Sequence, residues 1–296
     1  SKKNICFVIS AVLILGGLAV MGVNGSKGKG ALNYSLEFQG GTSITIPMNE
    51  ALSIQEIDET VKPVVSEVIG SNEIQAQKVD GSNDVIVKTR VLDLETREAL
   101  CQALVEKFGV DENQIAIENI GAAISSEMRS DAITAVLLAA LFMLLYIWFR
   151  FKDIRFATSA VAALLHDVLV VLAFYAVARL SVGSNFIACM LTIVGYSINA
   201  TIVIFDRIRE NLAVAGRKTD LQELVNRSIT QTLSRSVNTS VTTFITVAVL
   251  YVLGVASIRE FALPLMVGIV CGGYSSVCIT GALWYVFKTR FSKKKK

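Results

Sequence analysis

Ile133-Thr134-Ala135-Val136-Leu137-Leu138-Ala139-Ala140-Leu141-Phe142-Met143-Leu144-Leu145-Tyr146-Ile147-Trp148-Phe149 runs for seventeen residues without a charge, and Arg150, Lys152 and Arg155 close it. A bilayer core about 30 Å thick is spanned by roughly 20 mostly apolar residues at about 1.5 Å of rise each. Backbone groups in lipid must bond within the segment, so a helix is the open choice for such a stretch. Working outward, blocks of the same character lie at Ile5–Val23, Phe156–Ala178, Asn185–Phe205, Val237–Gly254 and Phe261–Phe287. The expected fold is therefore a polytopic α-helical membrane protein with six transmembrane helices. Composition agrees, with 53% hydrophobic and 18% charged residues, where a soluble domain carries about a quarter charged. The first block follows Lys2-Lys3 like a signal peptide but lacks a convincing small-x-small cleavage site. It is read as a retained first span within residues 1–25.

Lysines and arginines set the expected orientation. They cluster at Lys2 and Lys3, at Arg150, Lys152 and Arg155, at Arg207, Arg209, Arg217, Lys218 and Arg227, and at Lys288, Arg290 and Lys293 to Lys296. The alternate short loops hold only Arg179 and Arg259. Both termini are expected in the cytoplasm, with residues 26–131 outside, residues 132–290 forming the remaining five spans and residues 291–296 a basic cytoplasmic tail. Ser26 to Asp131 carries 9 Lys and Arg against 18 Asp and Glu, a net of −9, so the rest of the chain holds +12 of the overall +3. An acidic exterior and a basic inner face argue against nucleic acid and for contact with anionic membrane lipids.

The segment between the first two spans has its own pattern. Leu36–Pro47 reads as a strand, and Ser53–Ile69 as a helix with Ile54, Ile57, Val61, Val64, Val65 and Val68 on one face and a Ser53–Glu56 capping box. Glu73–Val79, a turn at Asp80-Gly81-Ser82-Asn83 and Asp84–Arg90 read as a hairpin. Asp93–Phe108 gives a second helix with Leu94, Leu100, Leu104, Val105 and Phe108 apolar, and Gln114–Ile120 a last strand. The order β-α-β-β-α-β is the ferredoxin-like split motif, so an α+β extracytoplasmic domain is expected between helices 1 and 2, as a spacer or docking module.

Several polar residues interrupt the spans. Thr192, Tyr196, Asn199 and Asp206 fall on one face of the fourth, where polar groups meet other helices or a water-filled cavity. Thr232, Arg235, Thr239, Thr242 and Thr246 make a second stripe entering the fifth. Arg235 stays charged and needs an anion, carbonyls or water, or snorkels to the interface. His166 and Asp167 lie about 15 Å from the end of the third span, at a depth where ionisable groups are functional by default. Being adjacent, they are expected to face different neighbours. Asp206 and Arg209 are spaced to pair, and with Arg207 they read as an interfacial anchor. Gly268 and Gly272 suit close helix packing.

These residues carry a resemblance to the SecD/SecF family of protein-export membrane proteins, on its SecF side. Gly195-Tyr196-Ser197-Ile198-Asn199 followed by Asp206-Arg207-Ile208-Arg209-Glu210-Asn211 resembles the family's fourth-span signature. Leu36-Glu37-Phe38-Gln39-Gly40-Gly41-Thr42, Leu165-His166-Asp167-Val168 and Thr230-Gln231-Thr232-Leu233-Ser234-Arg235 are similar to further family elements in the same order. The resemblance implies a subunit in the bacterial cytoplasmic membrane that works with SecD and the Sec translocon channel to export unfolded preproteins, using an ion gradient. It also implies one RND-like half of a twelve-helix assembly. One position departs. Where the family usually has an intramembrane Asp after Asn199, this chain has Ala200. The acid is then supplied by the SecD partner, the preferred reading, or by Asp167, or gradient coupling is absent.

The alternative is a stand-alone RND-like exporter of a small molecule or lipid, which needs a ligand pocket and a full twelve-helix core. A membrane sensor would need an output domain, and the longest internal cytoplasmic segment has only about thirty residues. An enzyme is not expected, because one histidine, His166, supports no nucleophile–base set. Neither a metal site nor a cofactor is expected, and Cys6, Cys101, Cys189, Cys271 and Cys278 form no CxxC pair.

Overall fold

A computed structural model of the chain describes residues 3–27, 30–71, 74–79, 82–216 and 219–292. Lys2, Glu73, Asp80, Gly81, Arg217, Lys218 and Lys293 to Lys296, invoked above, lie outside the described residues. The chain opens with α1 (Lys3–Ser26). Next come α2 (Leu36–Gln39), β1 (Gly41–Pro47), and α3, which starts at Ile54–Glu56 and continues through a wide π turn, Ile57–Val61, into Lys62–Ile69. They are followed by β2 (Gln75–Lys78), β3 (Asp84–Thr89), α4 (Leu94–Phe108) and β4 (Ala116–Ile120). The chain continues with α5 (Ala122–Phe151), α6 (Ile154–Ala178), α7 (Ser184–Val214), α8 (Leu221–Leu253) and α9 (Ala256–Ser275). A π turn at Ser276–Thr280 joins α9 to α10 (Gly281–Ser292).

Among the described residues, six helical runs are long and apolar enough to cross a membrane: α1, α5, α6, α7, α8 and α9 continued into α10. Two of them extend well beyond their apolar blocks. Helix α5 begins eleven residues before Ile133, and α8 sixteen before Val237. Helix formation needs backbone pairing and fair propensity, both of which polar sequence supplies, so hydropathy marks the part that fits lipid and not the helix itself.

The chain divides into two compact units, and the first joins residues 1–33 to residues 133–296. Its core includes Phe151, Phe156, Phe205 and Trp284, with Phe156 stacked on Trp284 at 5.1 Å and edge-on to Phe205 at 4.7 Å. The α5–α6 connection is only two residues long. It turns on Lys152, held at φ 52°, and on Asp153, whose carboxylate accepts from the Arg155 amide at 2.9 Å as an N-cap.

The second unit, Tyr34–Ala132, holds a small antiparallel sheet of strand order β2-β3-β1-β4. In the register, Ile44 of β1 lies opposite Val87 of β3 on one side and Ile117 of β4 on the other. Alternation sends Ile44, Ile46, Val85 and Val87 to one face, where they meet Ile57, Val61, Val65 and Ile69 of α3 and Leu100 and Leu104 of α4 in a common core. The capping box forms, with the Glu56 amide donating to Ser53 Oγ at 3.2 Å and the Ser53 amide to Glu56 Oε2 at 2.7 Å.

The first strand is shorter than expected. Leu36–Gln39 is helical and the strand starts at Gly41. Gly40 and Gly41 stand at φ 73° and 123°, and a Cβ on Gly41 would collide with the Thr89 carbonyl, so only glycine serves where the chain swings into the sheet. Ile54 and Leu94, assigned above to apolar faces, are exposed in the first turns of their helices.

Candidate functional site

Asp167 sits midway along α6 and is almost completely enclosed, at 1% exposure. Four side chains address its carboxylate. Ser197 of α7 and Ser275 of α9 donate to Oδ2 at 2.6 and 2.7 Å. Cys271 of α9 donates to Oδ1 at 3.3 Å, and His166 Nδ1 lies 3.0 Å from the same oxygen. Close helix approach makes this possible, since a Cβ on Gly272 would lie 3.1 Å from that of Ser197. Three helices thus converge on one carboxylate. The expectation that His166 and Asp167 face different neighbours is overturned. Their Cβ atoms diverge around the helix, but the imidazole is long enough to swing back onto the carboxylate next to it.

The second feature is a small cleft of about 50 Å³ between α7 and α8, lined by Tyr196, Asn199, Ala200, Val203, Arg235, Ser236 and Thr239. It brings together Asn199, Ala200 and Arg235. Tyr196 Oη donates to Ser240 Oγ across the helix pair at 2.9 Å. Arg235 is exposed, and among the described residues its guanidinium makes no ion pair. No carboxylate lines the cleft, and Ala200 occupies a wall of it. Thr192 bonds its own Ala188 carbonyl at 2.7 Å and is not part of the lining.

Asp206 belongs elsewhere. It forms a two-pronged pair with Arg150 of α5 at 2.8 and 2.9 Å, and the expected Arg209 contact is longer, at 3.6 Å. Arg150 and Arg209 both lie over the Phe151 ring. Arg207 donates to Gln231 of α8 at 2.7 Å and pairs with Glu210 at 2.8 Å, while Asn211 reaches Ser228 and Gln231. Asp206, Arg207 and Arg209 therefore tie α5, α7 and α8 together at one end of the bundle.

Sequence reasoning located Asp167 and His166 but missed Ser197, Ser275, Cys271 and Arg150. A Ser or Cys in an apolar block looks like a small helix-packing residue, and only the fold shows which of them meet. Although no metal site was expected, the ligand atoms of His166, Asp167 and Cys271 all lie within 4.8 Å of one another.

Residues 100–290 match the family model described as protein export membrane protein SecD/SecF, C-terminal. A protein translocase subunit SecF from Sebaldella termitidis is 35% identical over 296 residues, covering 99% of this chain and 92% of that one. The protein translocase subunit SecDF of Thermus thermophilus is 38% identical over 96% of this chain. The crystal structure of SecDF from the same organism, described as a translocon-associated membrane protein, matches 98% of this chain at 36% identity with a TM-score of 0.83. This chain spans only 38–39% of those SecDF polypeptides. Six apolar helical runs among the described residues define a multi-pass helical membrane protein. By its family match and its relatives, the chain belongs to the SecD/SecF family of protein-export membrane proteins.

Proposed function

We propose that this chain is an accessory subunit of the Sec preprotein translocase that pairs with a SecD-type partner and couples export of unfolded proteins to an ion gradient through Arg235. Its relatives are protein translocase subunits, and in SecDF a chain like this one makes up about two fifths of a longer polypeptide. The observation that carries the reading is the exposed α8 stripe. Arg235, Asn238, Thr239, Thr242 and Thr246 all face outward from α8, and an arginine beside an apolar span must reach water by its own length or meet an anionic partner. A second membrane subunit bearing an acid would cover that stripe and close the Asn199–Ala200–Arg235 cleft. Asp167 is a poorer substitute for the acid missing at Ala200, because both of its oxygens already accept hydrogen bonds from α6, α7 and α9 groups. The positive loops put both termini in the cytoplasm. The βαββαβ unit with sheet order β2-β3-β1-β4 then serves outside as a ferredoxin-like docking domain. A stand-alone exporter is disfavoured, since the six spans among the described residues make half of the twelve-helix core it needs.

The test is gradient-stimulated preprotein export in vesicles holding this chain, its SecD-type partner and the Sec channel. Arg235→Gln should cut the gradient-dependent increment about fivefold or more, as expected for loss of a coupling contact. Ala200→Asp should restore the increment when the partner's intramembrane acid is neutralised. A native pair indifferent to the gradient, or an Arg235→Gln pair that responds in full, would sink the coupling reading.

A further inference from the structure

We propose that His166, Asp167 and Cys271 form a binding site for a borderline divalent cation, zinc first, buried between α6 and α9. The inference does not depend on the export reading. It starts from donor chemistry: one imidazole, one carboxylate and one thiol are a ligand set that zinc accepts and that magnesium or calcium, which take oxygen donors, do not.

The spacing fits. His166 Nδ1, Asp167 Oδ1 and Cys271 Sγ are separated by 3.0, 3.3 and 3.9 Å. A triangle with those sides has a centre about 2.0 Å from every corner, and a point slightly out of its plane meets the zinc–ligand distances of about 2.0–2.3 Å. No helix has to move for an ion to reach all three atoms.

Charge is the second support. A divalent ion bound by a carboxylate and a thiolate makes a neutral group, which is the form a low-dielectric interior tolerates. The third support is the shell behind the ligands. Ser197 and Ser275 both donate to Oδ2, so Oδ1 is aimed at the triangle, as outer-shell hydrogen bonds fix ligating carboxylates at metal sites. The His166 ring is itself 8% exposed, and its Nε2 has no hydrogen-bond partner among the described residues. That nitrogen is not the atom facing the triangle, and with Nδ1 on the ion it carries the ring proton.

Loading balances simply. The ion displaces the thiol proton of Cys271 to solvent, and the neutral imidazole binds as the tautomer with its proton on Nε2, so that Nδ1 offers its lone pair. Affinity must therefore rise with pH. Three protein ligands leave a fourth position open to water. A bound ion would pin α6 to α9 at mid-depth and, through Ser197, hold α7 against them.

The full chain, prepared with its partner, without a polyhistidine tag and with Cys6, Cys101, Cys189 and Cys278 replaced by Ala, is titrated with cobalt(II) as a visible stand-in for zinc. The expected result is one cobalt per chain with a thiolate-to-metal charge-transfer band that added zinc removes. Cys271→Ser should abolish the band, and both it and His166→Asn should weaken zinc binding at least about tenfold. Because these variants could fail to fold, X-ray absorption on the zinc-loaded native chain supplies an independent reading. One sulfur at about 2.3 Å with nitrogen or oxygen at about 2.0 Å supports the site. A shell of nitrogen and oxygen only, a cobalt spectrum without the band, or zinc lost on simple dialysis would overturn it.

Discussion

Asp167 accepts from two hydroxyls on a single oxygen, and that sharing makes a measurable prediction. Removing one hydroxyl, in Ser197→Ala or Ser275→Ala, leaves Oδ2 still bonded by the other. Each single variant should cost about 1 kcal/mol, near the net worth of one hydrogen bond. The double variant strips the oxygen bare inside the bundle, and its cost should exceed the sum of the singles by about 1–3 kcal/mol, the penalty for an unsatisfied buried acceptor. Thermal unfolding of the four proteins in one detergent gives the cycle directly, and strict additivity would show that water already reaches Oδ2. What the sequence told at this scale was depth. Asp167 and His166 were recognisable because an ionisable pair in the middle of an apolar block is costly without partners. The partners themselves were illegible, since Ser197, Ser275 and Cys271 are thirty and more residues away and carry no local signal. Ala200 was readable as a missing acid only against the family pattern, whereas its place in a cleft with Arg235 needed the packing of α7 on α8.

Elements were legible where one physical signal dominated and misplaced where two competed. The capped helices of the second unit are the clear case, because cap chemistry is local. Thr96 holds the Asp93 carboxyl below its ordinary range through its hydroxyl and then its amide, and Ser53 does so for Glu56 through its amide and then its hydroxyl. A folded-state value lowered in this way gives stability that is present above the unfolded carboxylate range and disappears as pH falls through the folded value. The stability gap between the native chain and Asp93→Ala should therefore be constant near neutral pH and shrink below about pH 4, followed by chemical unfolding of this unit across pH. A gap that persists in acid would mean that Asp93 acts through packing. Competition decided Leu36–Pro47, where β-favouring residues suggested one strand but Gly40 and Gly41 turn the chain in its middle. Gly41→Ala puts a methyl group on the Thr89 carbonyl at a φ of 123°, so it should destabilise the sheet by more than about 1 kcal/mol. Leu100→Ala, which empties a fully buried site under the same sheet, should cost about 2–5 kcal/mol.

At the scale of the whole molecule, three helices, α1, α5 and α8, are largely uncovered by the rest of the chain, and α5 and α8 differ in what they expose. The exposed side chains of α5 include Leu137, Leu138, Leu141, Phe142, Leu145, Trp148 and Phe149, which hydrocarbon solvates well. Those of α8 are mixed, with Val237, Val241, Ile245 and Val249 beside a polar stripe of Arg235, Asn238, Thr239, Thr242 and Thr246. The threonine hydroxyls of that stripe bond back to carbonyls one turn earlier, as Thr239 does to Arg235 and Thr246 to Thr242, so they are tolerable in lipid, but the guanidinium among them is not. Hydropathy alone reports both helices as spans, and exposure is what reveals the polar stripe on α8. In a cysteine-free background, Thr242→Cys should therefore react with a small water-soluble maleimide when this chain is alone in detergent. It should be protected about tenfold or more once the SecD-type subunit is bound, as residues in a dry interface core are. Leu141→Cys on α5 should remain accessible to a membrane-soluble thiol reagent in both states. Equal protection at the two positions would place the partner on α5 as well, and no protection at Thr242 would move the interface away from α8, leaving Arg235 to reach water by its own length.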